Sequence, residues 1–237
     1  MRLAHAYDLD VEALLAFGAA LLALRLGGDL VGRYRATHRP ELAAWAASLI
    51  AYSIASGALA AGAAGGWGEA VFRAYYLFGG LLTAALLGAG SLLLIGRRWA
   101  APLALLYVGL AVGVALAAPL TAGVGGTTIP DAQEHLEFFP ARLLAVVGNS
   151  LGTLAAAGIA LWTIRRRPVG NGFILAGIVV AAVGSTVAGL GEAQSAAFIA
   201  VAAVLLYAGF VTGSGYPMPL KKLSKSFSRG SYSAGRS

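Results

Sequence analysis

Six polar side chains in or beside the apolar stretches of this sequence could bind a small, largely neutral solute. Four of them carry hydroxyl or amide groups, which can hydrogen-bond such a molecule, and the other two are an arginine and a glutamate near the ends of their stretches. Leaving an amide unpaired among apolar groups is costly, and ionisable residues within a membrane usually mark a functional site. The candidate ligand-binding residues are Arg73, Tyr76, Asn149, Thr153, Ser185 and Glu192.

A second interpretation of these residues needs no ligand. Hydroxyl and amide groups in apolar helices often hydrogen-bond to a neighbouring helix or to their own backbone. Arg73 has Glu69 one helical turn before it, and charged groups at the end of an apolar helix can be solvated at the membrane surface. The sequence alone leaves both interpretations open.

The residues required by most enzyme and cofactor chemistry are absent or poorly placed. The chain has no cysteine, which excludes disulfides, thiolate nucleophiles and iron–sulfur clusters. His5, His38 and His135 fall outside the apolar stretches, so a haem held by two histidines is not expected. Asp131 and Glu134 could bind a metal weakly with His135, but a solvated surface is the simpler interpretation. We therefore predict no cofactor, no metal and no catalytic residue.

The composition is that of a membrane protein. Hydrophobic residues make up 59% of the 237 residues and charged residues 11%, and the mean hydropathy is +0.78. The apolar residues fill windows of about 20 residues, the length that crosses the hydrocarbon core of a bilayer. We predict an all-α bundle of seven transmembrane helices within residues 1–214. The predicted spans are 10–27, 42–64, 71–95, 100–122, 141–164, 173–190 and 195–214.

The positive charges predict the orientation of these spans. Most arginines and lysines fall in alternate connections and in the tail, and such clusters are retained on the cytoplasmic side. The amino terminus is therefore predicted outside and the carboxyl terminus inside. The net charge of +7 is explained by this topology rather than by nucleic-acid binding. Residues 215–237 form a basic, serine-rich segment that we expect to be a disordered cytoplasmic tail.

Two basic clusters are predicted to contact anionic lipid at the cytoplasmic face. One follows the fifth span, and the other lies in the tail. Long basic side chains reach from helix ends to the lipid headgroups. The residues concerned are Arg165, Arg166, Arg167, Lys221, Lys222 and Lys225.

Small residues at four-residue spacing predict close packing of the helices. Gly79 with Thr83, Gly148 with Gly152, and Gly152 with Ala156 follow this pattern. In lipid, small residues allow helix backbones to approach closely. Packing within the chain is the simpler interpretation, and contact with another membrane protein through the same faces is the alternative.

The third span adds a resemblance to known sequences. Its stretch FRAYYLFGGLLTAALLGAGSLLLIGRR, residues 72–98, resembles uncharacterised seven-span proteins of high-GC bacteria. That resemblance implies a bundle in a bacterial cell membrane and implies no activity. Rhodopsins also have seven spans, but the last apolar stretch, 195–213, contains no lysine to bind retinal.

Three classes of function remain. We expect a non-enzymatic bundle that acts through intramembrane contacts, as an accessory subunit of a membrane complex or a receptor-like partner. The alternative is a transporter or channel for a small neutral solute, with an outward-facing polar pocket. An enzyme would need a site at the membrane surface built from Arg73, Glu69, Glu192 and the acidic residues of 131–137.

Overall fold

The chain is helical over nearly all the residues that its structure describes. A computed structural model describes residues 2–188 and 193–212, with side chains at 14–181, 201–209 and 212. Within these ranges no β-strand forms, and one isolated bridge joins Leu120 to Leu136. The predicted tail, Glu192, and the side chain of Ser185 lie outside the described residues.

Seven long helices and one short helix make up the described chain. Five of the long helices are long and apolar enough to cross a membrane: α1 (counted from Leu14), α2, α3, α4 and α6. The described apolar part of α7, Pro168–Ala181, is shorter. The helices are α1 Arg2–Thr37, α2 Pro40–Gly65, α3 Glu69–Leu94, α4 Ala100–Ala117, α5 Ala132–His135, α6 Phe138–Trp162, α7 Pro168–Ala188 and α8 Ala193–Thr212.

The first helix is longer than the span predicted at its position. The predicted span ended at residue 27, but α1 continues to Thr37. Gly27 faces α2, where a Cβ atom on it would lie 2.9 Å from Cγ1 of Ile50. The glycine therefore allows close packing of two helices instead of ending one.

Six of the long helices form a closed ring, in which each helix packs against the next and the last packs against the first. Helix α1 packs against α2 and α8, α2 packs against α3, α3 against α6, α6 against α7, and α7 against α8. Helix α4 lies at the edge, in contact mainly with α3: its apolar window is 17% buried, compared with 56% for α2. One lipid-facing helix therefore lies outside an otherwise continuous bundle.

The helices alternate in direction, which sorts the connections into two ends. We call the end with the turns 38–39, 95–99 and 163–167 the basic end, since an arginine occurs in each turn. The opposite end carries the turn 66–68 and the long connection 118–137. These two segments meet there, where the amide of Trp67 donates to the carbonyl of Gly126 at 2.7 Å.

A close contact between helix backbones joins α3 to α6. A Cβ atom on Gly88 would lie 2.5 Å from the Cα atom of Gly152. A Cβ atom on Gly148 would overlap the hydroxyl of Tyr107, and one on Gly79 would lie 3.1 Å from the Cβ atom of Ala55. These glycines of the predicted small-residue pattern therefore pack against other helices of the same chain.

Candidate functional site

Helix α3 contains a π-helical segment at Tyr76–Leu82, which includes one of the predicted polar residues, Tyr76, and is contacted by another, Asn149. A π-helical turn is wider than an α-helical one and often occurs at functional sites. Its carbonyl groups accept hydrogen bonds from side chains. The oxygen of Gly80 accepts from Nδ2 of Asn149 at 2.9 Å, and the oxygen of Phe78 accepts from the hydroxyl of Thr83 at 2.7 Å.

Asn149 thus has a partner on a neighbouring helix. Its amide, on α6, reaches across to the backbone of α3, and the side chain is half-buried. The hydrogen bond between helices, one of the two interpretations of this residue, is the one that the geometry supports. Thr153, one turn further along α6, is half-buried and makes no side-chain hydrogen bond to any described residue.

Tyr107 belongs to the same cluster, although the sequence analysis did not select it. Its hydroxyl lies 3.1 Å from the carbonyl oxygens of Leu81 and Leu144, so this side chain of α4 joins α3 to α6. Gly148 leaves the space for the hydroxyl. The available signal was a single tyrosine in an otherwise apolar span, because a phenol hydroxyl in lipid needs a partner.

Arg73 is held by two contacts within the chain. Its guanidinium forms an ion pair with Glu69, with 2.8 Å between Nη2 and Oε1, and Nη1 donates to the carbonyl of Ala115 at 2.6 Å. That carbonyl is near the end of α4, where the helix dipole attracts a cation. Arg73 therefore links α3 to α4 at the end of the bundle that is opposite the basic end.

Tyr76 is buried, and its ring stacks on Phe72 with 6.1 Å between centroids. Its hydroxyl has no hydrogen-bond partner among the described residues. Arg73 and Tyr76 border a void of about 10 Å³, about the volume accessible to one water molecule. The described residues thus bring Arg73 and Tyr76 together beside a small void and place Asn149 on the π-helical backbone.

A larger space of about 130 Å³ lies between α3, α4 and α6. Gly88, Leu103 and Leu151 are among its mostly apolar lining residues, and Tyr107 closes one side. The space is a groove along the peripheral helix α4. The sequence analysis did not predict it, because it depends on how α4 leans against its neighbours.

The predicted arginine cluster after α6 is divided by the turn that carries it. Arg165 and Arg166 are exposed, as expected for residues that contact lipid headgroups. Arg167 instead lines a cavity of about 70 Å³ with Arg33 and Arg39. The predicted lipid contacts Lys221, Lys222 and Lys225 lie outside the described part of the chain.

The acidic residues before α6 contribute to local structure. The carboxylate of Asp131 accepts from the amide of Gln133 at 2.8 Å and so caps α5. Nδ1 of His135 lies 2.8 Å from the carbonyl oxygen of Asp131. Among the described residues, no three histidine, aspartate or glutamate side chains are grouped closely enough to hold a metal ion.

The function of this chain is inferred from its geometry, because comparison with known proteins found no match. No protein-family model matches the sequence, and no curated protein or solved structure matches it either.

Proposed function

We propose that this chain is a seven-span protein of the bacterial cell membrane, with its amino terminus outside, that acts through intramembrane contacts. In this proposal it is a non-enzymatic accessory subunit of a membrane complex or a receptor-like partner. Five apolar helices of spanning length support the membrane location, and α7 and α8 supply the remaining two spans. Arginines in every turn of the basic end support its placement in the cytoplasm.

The observation that carries the proposal is the internal pairing of the polar side chains. Asn149 and Tyr107 donate to backbone carbonyls of neighbouring helices, and Arg73 pairs with Glu69 and Ala115. Groups that are satisfied within the chain stabilise a bundle and are not available to bind a solute. Their arrangement therefore favours a scaffold over a transport pathway.

Helix α4 offers the surface for a partner in the membrane. Leu105 and Leu116 are each 73% exposed on it, whereas Ala111 on its other face is fully buried. Packing of a partner helix on this exposed face would cover Leu105 and Leu116, since helix side chains can replace lipid chains on the same apolar surface. We propose that the partner packs here.

Photo-crosslinking tests this surface. A photoreactive residue at Leu105, activated in native membranes, is expected to give one discrete protein adduct that also retains this chain in reciprocal purification. The matched control at Ala111 on the same helix, and a second control at exposed Leu24 of α1, should not give that adduct. Lipid adducts alone at Leu105, together with a solitary monomer in mild detergent, would contradict the proposal.

The orientation of the proposed seven-span topology can be tested with single introduced cysteines, because the chain contains no cysteine of its own. Thr127→Cys at the opposite end should react with a membrane-impermeant maleimide in intact cells, because the proposal places it outside. Ala36→Cys at the basic end should react only after the cells are permeabilised. The reverse pattern would overturn the orientation.

A transporter for a small neutral solute is the second candidate. The π-helical segment of α3 favours this function, and so does the buried hydroxyl of Tyr76, which has no partner among the described residues, since both features occur at functional sites. Solute uptake into proteoliposomes that Asn149→Leu abolishes, with thermal stability unchanged, would support the transporter. Loss of stability without any uptake by the wild-type protein would support the scaffold.

A further inference from the structure

A small cavity at the basic end is lined by three arginines from different parts of the chain. Arg33 comes from α1, Arg39 from the turn before α2 and Arg167 from the turn before α7. The cavity measures about 70 Å³, and Leu42 and Ile174 form part of its apolar wall. Residues far apart in sequence thus converge on one space at the end of the bundle.

The positive charges around this cavity exceed the nearby carboxylates. Glu41 is buried and pairs with Arg39, with 2.7 Å between Nε and Oε1. Asp29 stands one turn before Arg33 on α1, and its carboxylate accepts from the hydroxyl of Tyr207. Arg167 has no carboxylate within ion-pair distance among the described residues.

Arg167 is held in this position by its own turn. The amide of Asn171 donates to the carbonyl of Arg167 at 2.9 Å, and the buried Asn171 side chain donates to the hydroxyl of Thr163 at 2.8 Å. Burial, and secondly the nearby Arg39, lower the pKa of Arg167 from its ordinary value. The charged form is therefore disfavoured here, and a bound anion would relieve both effects.

The helices that begin at this cavity add to its preference for anions. Helix α2 starts at Pro40 and α7 at Pro168, each directly after a lining arginine. The positive ends of the two helix dipoles therefore lie near the cavity and favour an anion there. Guanidinium groups match the oxygens of phosphate in geometry and charge.

We propose that this cavity is a binding site for a phosphate group, with Arg167 as its main ligand and Arg33 and Arg39 beside it. The group comes either from the headgroup of an anionic phospholipid or from a free phosphate. The site requires the helix bundle, but it requires neither the orientation in the membrane nor the accessory role proposed above.

The test uses the full chain in micelles of dodecyl maltoside, a detergent without phosphate, and compares two additions. One arm adds phosphatidylglycerol, with phosphatidylcholine as its control, and the other adds inorganic phosphate, with chloride at equal ionic strength as its control. At least one addition should raise the thermal midpoint of the wild-type protein. Stabilisation by the lipid alone identifies a headgroup site, by phosphate alone a soluble anion, and by both a site open to either source. Stabilisation by neither overturns the proposal.

Paired substitutions separate the cavity from general attraction to a basic surface. Arg167→Gln should weaken the apparent affinity for the stabilising addition about tenfold, because a hydrogen bond to a charged group is lost. Arg98→Gln, which removes the same charge from an exposed position in another turn of the basic end, should leave that affinity unchanged. Equal losses in the two variants would overturn the proposal.

A folding defect in the Arg167 variant would not block the test. Arg33→Gln removes a second ligand from a different helix, and it should weaken the same response, whereas Arg97→Gln at an exposed position of the basic end should not. Retention of the stabilising addition can also be read by native mass spectrometry, which needs only the folded fraction. Full retention in both cavity variants would overturn the site.

Discussion

The polar cluster around the π-helical segment and the arginine cavity at the basic end differ in the partners that their side chains have within the chain. Around the segment, Asn149 and Tyr107 donate to carbonyls of neighbouring helices. At the basic end, Arg167 remains without a carboxylate partner among the described residues. Asn149 and Tyr107 thus have internal partners at a depth where lipid would surround the bundle, whereas Arg167 lies where water or headgroups can reach it.

This contrast indicates where a ligand can contribute to stability. In the apolar part of a bundle, no water can accept a hydrogen bond from an unpaired donor. An internal partner for that donor therefore stabilises the fold. Near the membrane surface, an unpaired cation is solvated and can exchange water for an anion. The two regions should therefore respond differently to substitution.

The largest expected effect comes from breaking the α3–α6 contact that holds the polar cluster together. In Gly152→Ala, the added Cβ atom would collide with the backbone of Ala84 and lie 2.8 Å from the amide nitrogen of Ala85. Backbone cannot move aside as a flexible side chain can, so we expect destabilisation of about 3 kcal/mol. Thermal or denaturant unfolding in detergent measures it.

The matched control is Gly158→Ala on the same helix. A Cβ atom there meets nothing within 4 Å, so the substitution should be neutral or stabilise by up to about 1 kcal/mol through better helix propensity. Equal destabilisation by the two substitutions would mean that the close contact between Gly88 and Gly152 does not hold α3 and α6 together.

An intermediate effect is expected when the polar cluster loses one hydrogen bond. Asn149→Leu removes the donor to the carbonyl of Gly80, and hydrogen bonds between membrane helices contribute about 1 kcal/mol. Thr153→Val, one turn away and without a hydrogen bond to any described residue, should change stability by less than about 0.5 kcal/mol. Unfolding of both variants under the same conditions makes the comparison, and an unchanged midpoint for Asn149→Leu would refute the structural role.

The smallest effect, and one of opposite sign, is expected at the basic end. Without added anion, Arg167→Gln should leave the thermal midpoint unchanged or raise it slightly, because it removes a half-buried charge beside Arg39. Arg166→Gln should have no effect, since its side chain is exposed. A clear fall in the midpoint of Arg167→Gln in dodecyl maltoside, without added phosphate or phospholipid, would show that Arg167 already has a stabilising partner in the chain.

Several features of this arrangement could be predicted from residue types. The spacing of Gly148 and Gly152 predicted close helix packing, and the structure confirms it at the α3–α6 contact. The amide of Asn149 needed a partner, because an unpaired amide in lipid is costly. Its acceptor could not be predicted, since the carbonyl of Gly80 is exposed to it by the π-helical winding of α3.

The division of the arginine cluster shows a second limit. Three consecutive arginines predicted one lipid-facing cluster, but consecutive residues in a tight turn point in different directions. Arg165 and Arg166 are exposed, whereas Arg167 turns towards α1 and the start of α2. Residue types predict that charge is present at a helix end, but the direction of each side chain depends on the backbone conformation of the turn.

The sequence by itself determined that this protein is helical and apolar enough for a membrane, because the cost of placing backbone and charge in lipid depends on residue type and length. Only the tertiary structure decided that Asn149 pairs with a backbone carbonyl, that α4 stands at the edge, and that three distant arginines share one cavity. These features depend on distances between helices, which hydrophobicity alone does not specify, since apolar side chains pack equally well against lipid and against each other.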